Sequence, residues 1–544
     1  MILLLLLPPV LSGILCFRIA SNPLRRGLLV ATALFHGGVT AACWHQKPAP
    51  LLSGALGLDS LGLVFLSLVS LLFFAASLYS VSYLSAEKAE VHEDFVETNV
   101  FFSNSPEAVF TGCLSFFLAT MSLVTVSRHL GLLWVAVEAT TLASAPLIYF
   151  HRHHRSLEAT WKYLILCSVG IALALLGNFL MAVAATTSGG IAITTLQLED
   201  LLAHASALQP TWLKGAFLFF LVGYGTKMGL APLHTWLPDA HSESPSVVSA
   251  LLSGALLNCA FLGLLRVFSV CDTAGLGPFA RELFLGMGLL SMAVAAVFIL
   301  GQPDYKRMLA YSSVEHMGIL AVGVGLGAGA SFAVLFHAIN HSLTKAALFL
   351  AAGNILAATK TKSVEDVKGL LKSLPFSGFL WMAGFFSIVG CPPFGTFMSE
   401  LLILKSALDS GKILVAVLYL LLLALVFIGM ALIFTQMAQG EPAIPPGAEK
   451  EKPASLVPPL LLIGLVLLLG LYMPPALSNL LQDASKSLSG SPVGENQKVV
   501  SKTTPHPDPL PQGAREPWPV VSYSPSPLTG EGQGEGETKK GGLP

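Results

Sequence analysis

The sequence has 544 residues, of which 54% are hydrophobic and 11% are charged, and its formal net charge at pH 7 is −1. Soluble domains carry about 25% charged residues, so this composition excludes a soluble globular enzyme. The near-zero net charge also gives no sign of a nucleic-acid partner, and we expect none.

Long apolar runs recur along the chain, and each is close to the roughly 20 residues that cross a bilayer as a helix. The first run lacks a basic start and a small-residue cleavage pattern, so we interpret it as a retained helix rather than a signal peptide. The predicted fold class is an all-α polytopic membrane protein with about 14 transmembrane helices, at residues 2–20, 25–44, 58–84, 108–127, 131–150, 158–186, 211–231, 245–268, 282–301, 308–326, 330–357, 375–404, 412–438 and 455–474.

Lysine and arginine are more frequent in the loops that follow odd-numbered helices. These loops hold Arg18, Arg25, Arg26, Lys88, Arg152, Arg155, Lys306, Arg307, Lys360, Lys362, Lys368, Lys372, Lys450 and Lys452. The loops after even-numbered helices hold Lys47, Arg128, Lys214, Arg281, Lys405 and Lys412. By the positive-inside rule the first set is cytoplasmic, which predicts a bacterial inner-membrane protein with both termini outside the cytoplasm.

Four ionisable residues interrupt the apolar runs, namely Glu138, Lys227, Lys345 and Glu400. A charge at the bilayer centre costs at least about 2.5 kcal/mol, so such residues usually serve a function. We therefore predict an ion path through the membrane, with protons as the leading candidate. The alternatives are a structural ion pair between Glu138 and Lys227, and positions at the edge of a cavity for the other two.

Proline and glycine interrupt helices 7 and 12. In helix 7, Pro232 follows Lys227 and removes a backbone hydrogen bond, and in helix 12 the run GCPPFG precedes Glu400. Matching broken helices are typical of inverted-repeat transporters. We therefore predict two inverted five-helix repeats, helices 4–8 and 9–13, whose second helices carry Glu138 and Glu315.

The predicted domain organisation follows from these repeats. It consists of helices 1–3 with a loop (1–107), a first proton-channel repeat (108–268), a second inverted repeat (269–440), a loop with the last helix (441–484) and a disordered tail rich in proline and glycine (485–544).

Histidines are candidates for a relay between the broken helices. His337, His341 and Lys345 recur at every fourth position, which gives a stripe about 12 Å tall on one helix face. Histidine and lysine can each take and release a proton, whereas arginine cannot. His316, next to Glu315, either joins this relay or only hydrogen-bonds within the bundle.

No motif for a cofactor or a metal ion is present. The seven cysteines are scattered singly, without an iron–sulfur or haem spacing, and no nucleotide-binding glycine loop occurs. The run HRHHR is interpreted as a basic loop, and loop packing is favoured over zinc binding for His234 and His241. We expect no cofactor and no metal ion in this chain, and place any redox centres on other subunits.

Five segments carry a family resemblance: LWVAVEATTLASAPL, KMGLAPLHTWLPDAHSESPSVVSALLSG, KRMLAYSSVEHMG, FHAINHSLTKAALFLAAGN and GCPPFGTFMSELLILKSAL. Through them, residues 50–440 resemble the antiporter-like membrane subunits of respiratory complex I, of multisubunit sodium/proton antiporters and of membrane-bound [NiFe] hydrogenases. VEATTL, SLEATWKY and SSVEHMG are most similar to the F-type subunit of hydrogenase-4 and formate hydrogenlyase complexes.

The resemblance implies a role for each candidate residue. Glu138 is similar to the family's helix-5 glutamate, Lys227 to its broken-helix lysine, Lys345 to its central relay lysine and Glu400 to its terminal helix-12 residue. His337 and His341 correspond to histidines that precede the relay lysine.

Other residues are candidates of lower rank. Where many relatives have a lysine or histidine in helix 8, this sequence has Asn258, which orients water but does not carry a proton. Asp239, Glu315 and His316 complete this group of additional path candidates.

The predicted function is therefore a proton-translocating membrane subunit of a hydrogenase-type or NADH:quinone-oxidoreductase-like complex. Its expected partners are other membrane subunits, a peripheral hydrogenase or dehydrogenase arm, the lipid bilayer and protons. Two alternatives remain open, a sodium/proton antiporter subunit and a purely structural membrane anchor.

Overall fold

The computed structural model describes residues 1–87, 91–93, 101–186, 195–442, 445 and 451–488, and this part of the chain is almost entirely helical. Lys88, Lys450 and residues 489–544 lie outside the described residues. The disordered tail from residue 489 onward therefore stays a prediction.

Eleven α-helices precede residue 272 in the described ranges: α1 (Ile2–Arg18), α2 (Asn22–His45), α3 (Ser60–Ala86), α4 (Glu107–Val126), α5 (Leu130–Ile148), α6 (His154–Thr186), α7 (Leu198–Ala203), α8 (Pro210–Met228), α9 (Trp236–Glu243), α10 (Ser246–Leu251) and α11 (Leu257–Cys271). A π-turn at Leu252–Leu256 joins α10 to α11. Between α3 and α4, the antiparallel strands β1 (Val91–Glu93) and β2 (Phe101–Ser103) pair with Val91 opposite Ser103, a hairpin that the sequence did not predict.

Nine further α-helices follow in the described ranges: α12 (Gly277–Ile299), α13 (Tyr305–Leu326), α14 (Ser331–Thr359), α15 (Leu370–Ser373), α16 (Pro375–Ile388), α17 (Gly395–Asp409), α18 (Ile413–Ala438), α19 (Pro453–Leu471) and α20 (Pro475–Lys486). A second π-turn at Asp272–Leu276 leads into α12, and short 3₁₀ turns occupy Leu52–Gly54, Ala205–Ala207 and Ala328–Ala330. α20 was not predicted, and it extends past the predicted start of the tail at residue 485.

Ten of the described helices, counting Ser246–Ile299 as one, are long and apolar enough to cross a membrane, and α1 and α16 are shorter apolar helices. Every one of the 14 predicted runs contains helix in the described residues. The all-α polytopic class is confirmed, and the number of 14 membrane crossings stays a prediction.

α13 and α18 occupy two different environments, one inside the bundle and one at its surface. α13, which carries Glu315 and His316, is 100% buried over its apolar stretch, whereas α18, which has no charged residue, is 28% buried. Large apolar side chains such as Leu414 and Leu432 point outward from α18. Hydrocarbon does not penalise an exposed leucine, but it does penalise an exposed charge, so this arrangement suits a bilayer.

Both predicted helix breaks are present. α8 ends at Met228, and the next residue, Gly229, adopts a left-handed conformation with φ 84° that terminates the helix. Seven residues then separate α8 from α9, which begins at Trp236. The break thus precedes Pro232, to which the sequence assigned it. In the second break α16 ends at Ile388, Gly390 has φ 65°, and α17 starts at Gly395.

The two halves present similar elements in the same order. In each, a helix carrying a buried or partly buried glutamate precedes a long helix and then a broken one: α5, α6 and α8–α9 in the first half, and α13, α14 and α16–α17 in the second. This order positions two polar clusters, one at each break.

Candidate functional site

The first cluster surrounds Lys227 at the C-terminal end of α8. Its Nζ is fully buried and donates hydrogen bonds to the Thr141 hydroxyl at 2.8 Å and to the Tyr163 hydroxyl at 2.7 Å. Nζ also lies 4.4 Å from the centroid of the Tyr163 ring, a distance at which a cation is attracted to an aromatic face. Thr141 is on α5 and Tyr163 on α6, so one lysine ties three helices together.

Glu138 reaches this lysine only through Thr141. The Thr141 hydroxyl donates to Glu138 Oε2 at 3.2 Å, and the Ser168 hydroxyl donates to Oε1 at 2.9 Å. The sequence suggested a direct ion pair between Glu138 and Lys227. In the structure the Thr141 hydroxyl lies between the two charged groups and bonds to both. Glu138 itself is partly buried.

The break beside Lys227 is held in place by Trp236. The indole Nε1 donates to the carbonyl of Thr226 at 2.8 Å, and the Trp236 ring packs on Tyr163 with centroids 5.0 Å apart. The same carbonyl accepts from the backbone N–H of Gly229 at 3.1 Å, so the end of α8 is satisfied within the protein, as backbone groups at membrane depth require.

The second cluster lies between α13, α14 and α17. His316 Nδ1 and His337 Nε2 are 3.0 Å apart, and His337 Nδ1 is 3.0 Å from the Ser399 hydroxyl. The His316 ring also packs against His341, with centroids 4.9 Å apart. His316 therefore joins the two relay histidines, which the sequence left undecided.

Glu400 closes this cluster at the second helix break. It is buried, and its carboxylate packs so closely on Gly390 that a Cβ there would lie 2.0 Å from Oε2. Donor atoms of His316, His337 and Glu400 all lie within 4.8 Å of one another. The break thus brings an acidic group to the histidine pair, because only glycine leaves space for it.

Lys345 lies on α14 and Glu315 on α13, two of the three helices that form the second cluster. Lys345 is fully buried and donates to the carbonyl of Leu309 at 2.6 Å and to the Ser312 hydroxyl, both on α13. Glu315, one helical turn beyond Ser312, is also buried.

Asn258 lies between the halves. Its Nδ2 donates to the carbonyl of Gly254 at 2.9 Å and to the hydroxyl of Ser342 at 2.7 Å, next to His341 on α14. It is the second residue after the π-turn, a feature that often marks functional positions.

Asp239 does not belong to either cluster. It forms ion pairs with Lys162 at 2.9 Å and with Arg307 at 2.5 Å, so it joins α9 to α6 and α13. Its geometry supports a structural role at the end of the broken helix.

The loops that follow predicted odd-numbered helices meet at one end of the bundle. They line a cavity of 380 Å³, whose walls include Glu87, Arg155, Lys306, Lys362 and Lys452. Lys306 at the wall is buried and donates to the carbonyls of Ser242 at 3.0 Å and Ser244 at 2.7 Å, just beyond α9.

Sequence reasoning missed the hydroxyl partners Thr141, Tyr163, Ser168 and Ser399. A usable signal existed for Thr141, which lies three residues after Glu138 and so on the same helix face. For Tyr163 and Ser168 there was none, because their contacts depend on the rotation of α6 about its own axis.

These features define a polytopic antiporter-like membrane subunit, with buried charged clusters at two broken helices. Residues 127–426 match the family described as NADH:quinone oxidoreductase/Mrp antiporter, TM, and the chain belongs to that family.

Known proteins agree with this assignment. The chain is 37% identical over 428 residues to a hydrogenase-4 component F homolog of Methylacidiphilum infernorum, covering 78% of this chain and 87% of that protein. It superposes on a chain of respiratory complex I from Thermus thermophilus with a TM-score of 0.73 and 25% identity, covering 90% of this chain and 100% of that one. A chain of the Mrp complex from Dietzia sp. DQ12-45-1b gives a TM-score of 0.76 at 20% identity, covering 90% and 97%, which shows the shared fold.

Proposed function

We propose that this chain is the proton-translocating membrane subunit of a hydrogenase-type or NADH:quinone-oxidoreductase-like complex. The observation that carries the proposal is the fully buried Lys227, which is held by neutral hydroxyls and reaches a glutamate through one of them. A buried ammonium without a direct counter-ion is costly, so its charge responds readily to a change nearby. Redox chemistry on partner subunits would supply that change, and this chain would bind no redox cofactor of its own.

The proposed path joins the buried groups of the two clusters; a hydrogen bond links His316 to His337, and His341 reaches them by a ring contact. A proton on Lys227 is released when the lysine moves relative to Glu138 and Thr141. Asn258 and Ser342 orient water between the halves, and Lys345, His341, His316 and His337 pass the proton toward Glu400. Histidine can both accept and donate a proton near neutral pH, which suits it to the middle of such a path.

The proposed location is the inner membrane of a bacterium, with both termini outside the cytoplasm. Support comes from the cavity that gathers the lysine- and arginine-rich loops at one end of the bundle. Positive loops remain on the cytoplasmic side during insertion.

The first experiment compares wild type with Lys227→Met in vesicles that contain the purified parent complex. We expect redox turnover to continue and proton movement to stop. Lys214→Met is the matched control, because Lys214 lies in the same helix but is exposed, and it should transport protons like wild type. Normal proton movement in Lys227→Met would refute the proposed path and favour a structural anchor.

A sodium/proton antiporter subunit is the second candidate. The second break supports it, because a carboxylate there lies against the irregular backbone around Gly390, and carboxylate and carbonyl oxygens also bind sodium. Transport that depends on sodium at constant pH would favour this candidate over proton translocation.

A further inference from the structure

The histidine pair at the second break has the composition of a metal site. His316 and His337 supply imidazole nitrogens and Glu400 supplies a carboxylate, all buried, with donor atoms within 4.8 Å of one another. Two histidines and one glutamate are a common ligand set for Zn²⁺ with an open fourth position. Sodium, calcium and magnesium prefer sites built from oxygen, so imidazole selects against them.

The spacing of the two nitrogens agrees with tetrahedral zinc. Zinc–nitrogen bonds of about 2.0–2.1 Å place two tetrahedral ligands about 3.3 Å apart. His316 Nδ1 and His337 Nε2 are already 3.0 Å apart, so binding requires them to separate by only a few tenths of an ångström. The Glu400 carboxylate has an oxygen within 4.8 Å of both nitrogens.

The surroundings of the pair are also those of zinc ligands. The other nitrogen of His337, Nδ1, is held by the Ser399 hydroxyl at 3.0 Å, and such outer contacts fix the ring orientation of metal-binding histidines. His316 Nε2 is buried and has no hydrogen-bond partner among the described residues, so it can carry the ring proton while Nδ1 binds the metal.

We propose that His316, His337 and Glu400 bind one Zn²⁺ ion, through Nδ1, Nε2 and a carboxylate oxygen, with water as the fourth ligand. The bound ion takes the place of the N–H proton that joins the two imidazoles, and that proton moves to the other nitrogen of its ring or is released. If the proposed function is correct, zinc therefore blocks proton movement at this point; binding itself does not depend on that function.

The test measures zinc content in the purified parent complex after incubation with ZnCl₂ and removal of free metal. We expect wild type to retain one more zinc ion per copy of this chain than His337→Ala. His36→Asn is the matched control, because His36 is equally buried but bonds only to the hydroxyls of Ser122 and Ser70, and it should retain zinc like wild type. Equal zinc content in wild type and His337→Ala would overturn the proposal.

His337→Cys provides a second variant, should His337→Ala fail to assemble. Cysteine is a zinc ligand, so zinc should remain and X-ray absorption should show a new Zn–S distance of about 2.3 Å. Bound zinc without a sulfur ligand in this variant would also overturn the assignment.

The Lys227→Met variant tests the zinc site and the proposed proton translocation independently of each other. We expect this variant to retain zinc while it loses proton transport. If the variant transports protons normally and retains zinc, the proposed function fails and the zinc site stands. If the variant loses zinc, metal binding does not depend on the three residues alone, and the proposed site is refuted.

Discussion

At the scale of single residues, one hydroxyl group determines how the first cluster is connected. Thr141 accepts from Lys227 and donates to Glu138, whereas its neighbour Thr140 donates only to the carbonyl of Val137 at 2.6 Å. The sequence offers both threonines side by side. It predicted the charged residues because charges are rare in apolar runs. The spacing of three residues from Glu138 favours Thr141 over Thr140, but the contact of Thr141 with Lys227 depends on the rotation of α5.

Thr141→Val should therefore disconnect Lys227 from Glu138 without removing either charge. We expect the number of protons moved per redox turnover to fall several-fold, since valine has a similar shape but cannot hydrogen-bond. Thr140→Val is the matched control and should transport like wild type. Vesicle acidification measured together with redox turnover tests this, and equal stoichiometry in the two variants would contradict the bridge.

At the scale of helices, the second break depends on close backbone packing by α19. A Cβ on Gly470 would lie 1.9 Å from the carbonyl oxygen of Pro393, whereas Gly464 in the same helix has no neighbour within 4 Å of that position. The sequence predicted the breaks from their prolines and glycines. It did not predict this packing, because glycine is common in membrane helices on any face.

Gly470→Ala should push α19 away from the break. Overpacking of this kind costs about 1–3 kcal/mol, so the purified complex should unfold at a lower temperature. Gly464→Ala adds the same methyl group in open space and should leave the unfolding temperature almost unchanged. Equal unfolding temperatures for both variants would show that α19 does not pack on the break as described.

The short helix α9 is anchored by ion pairs at its end. Lys362 Nζ lies 2.8 Å from Glu243 Oε1, and both side chains are only 13% exposed. Burial raises the pKa of Glu243, but the positive groups around it, Lys362 first and then His153 and Arg155, together lower it more, so the pKa lies below its ordinary value. The pair therefore stabilises the fold above the unfolded-state pKa of about 4.3, and this contribution is lost as the pH falls through the lower folded-state pKa.

A double-mutant cycle with Glu243→Gln and Lys362→Met should give a coupling energy of about 1–3 kcal/mol at pH 7. The coupling should decline once the pH falls below about 4. Lys405 and Asp409, which are 66% and 63% exposed, form the control pair, and their coupling should not exceed about 0.5 kcal/mol. Thermal unfolding at pH 7 and at a pH below about 4 measures these coupling energies. Equal coupling in the two pairs would contradict the role of Glu243 and Lys362 in anchoring α9.

At the scale of the whole molecule, hydropathy predicted most of the fold, whereas the orientation stays a prediction from loop charge. All the predicted apolar runs contain helix, because a backbone in hydrocarbon must satisfy its own hydrogen bonds. The amphipathic α20 and the hairpin of β1 and β2 were missed, because neither is a long apolar run.

The orientation can be tested with single cysteines at Lys214, near the start of α8, and at Lys360, just after α14, which are both exposed and predicted to face opposite sides. In intact cells a membrane-impermeant maleimide should label Lys214→Cys and should label Lys360→Cys only after permeabilisation. The reverse pattern would place the termini in the cytoplasm.

The hydrogen bonds that join Ser399, His337 and His316 have a direction. A neutral imidazole carries one N–H, so when His316 Nδ1 donates to His337, His337 must donate to Ser399, whose own hydroxyl proton goes to the carbonyl of Thr396 at 2.8 Å. The opposite order requires Ser399 to give up that bond and donate to His337 instead. If protons move along this row as proposed, each one reverses every bond, and the bonds must be turned back before the next proton can follow. The His316 and His337 rings, which are fully buried and stacked with centroids 5.1 Å apart, would have to reorient in this step. The packing around two histidine rings would then help to set the interval between successive protons.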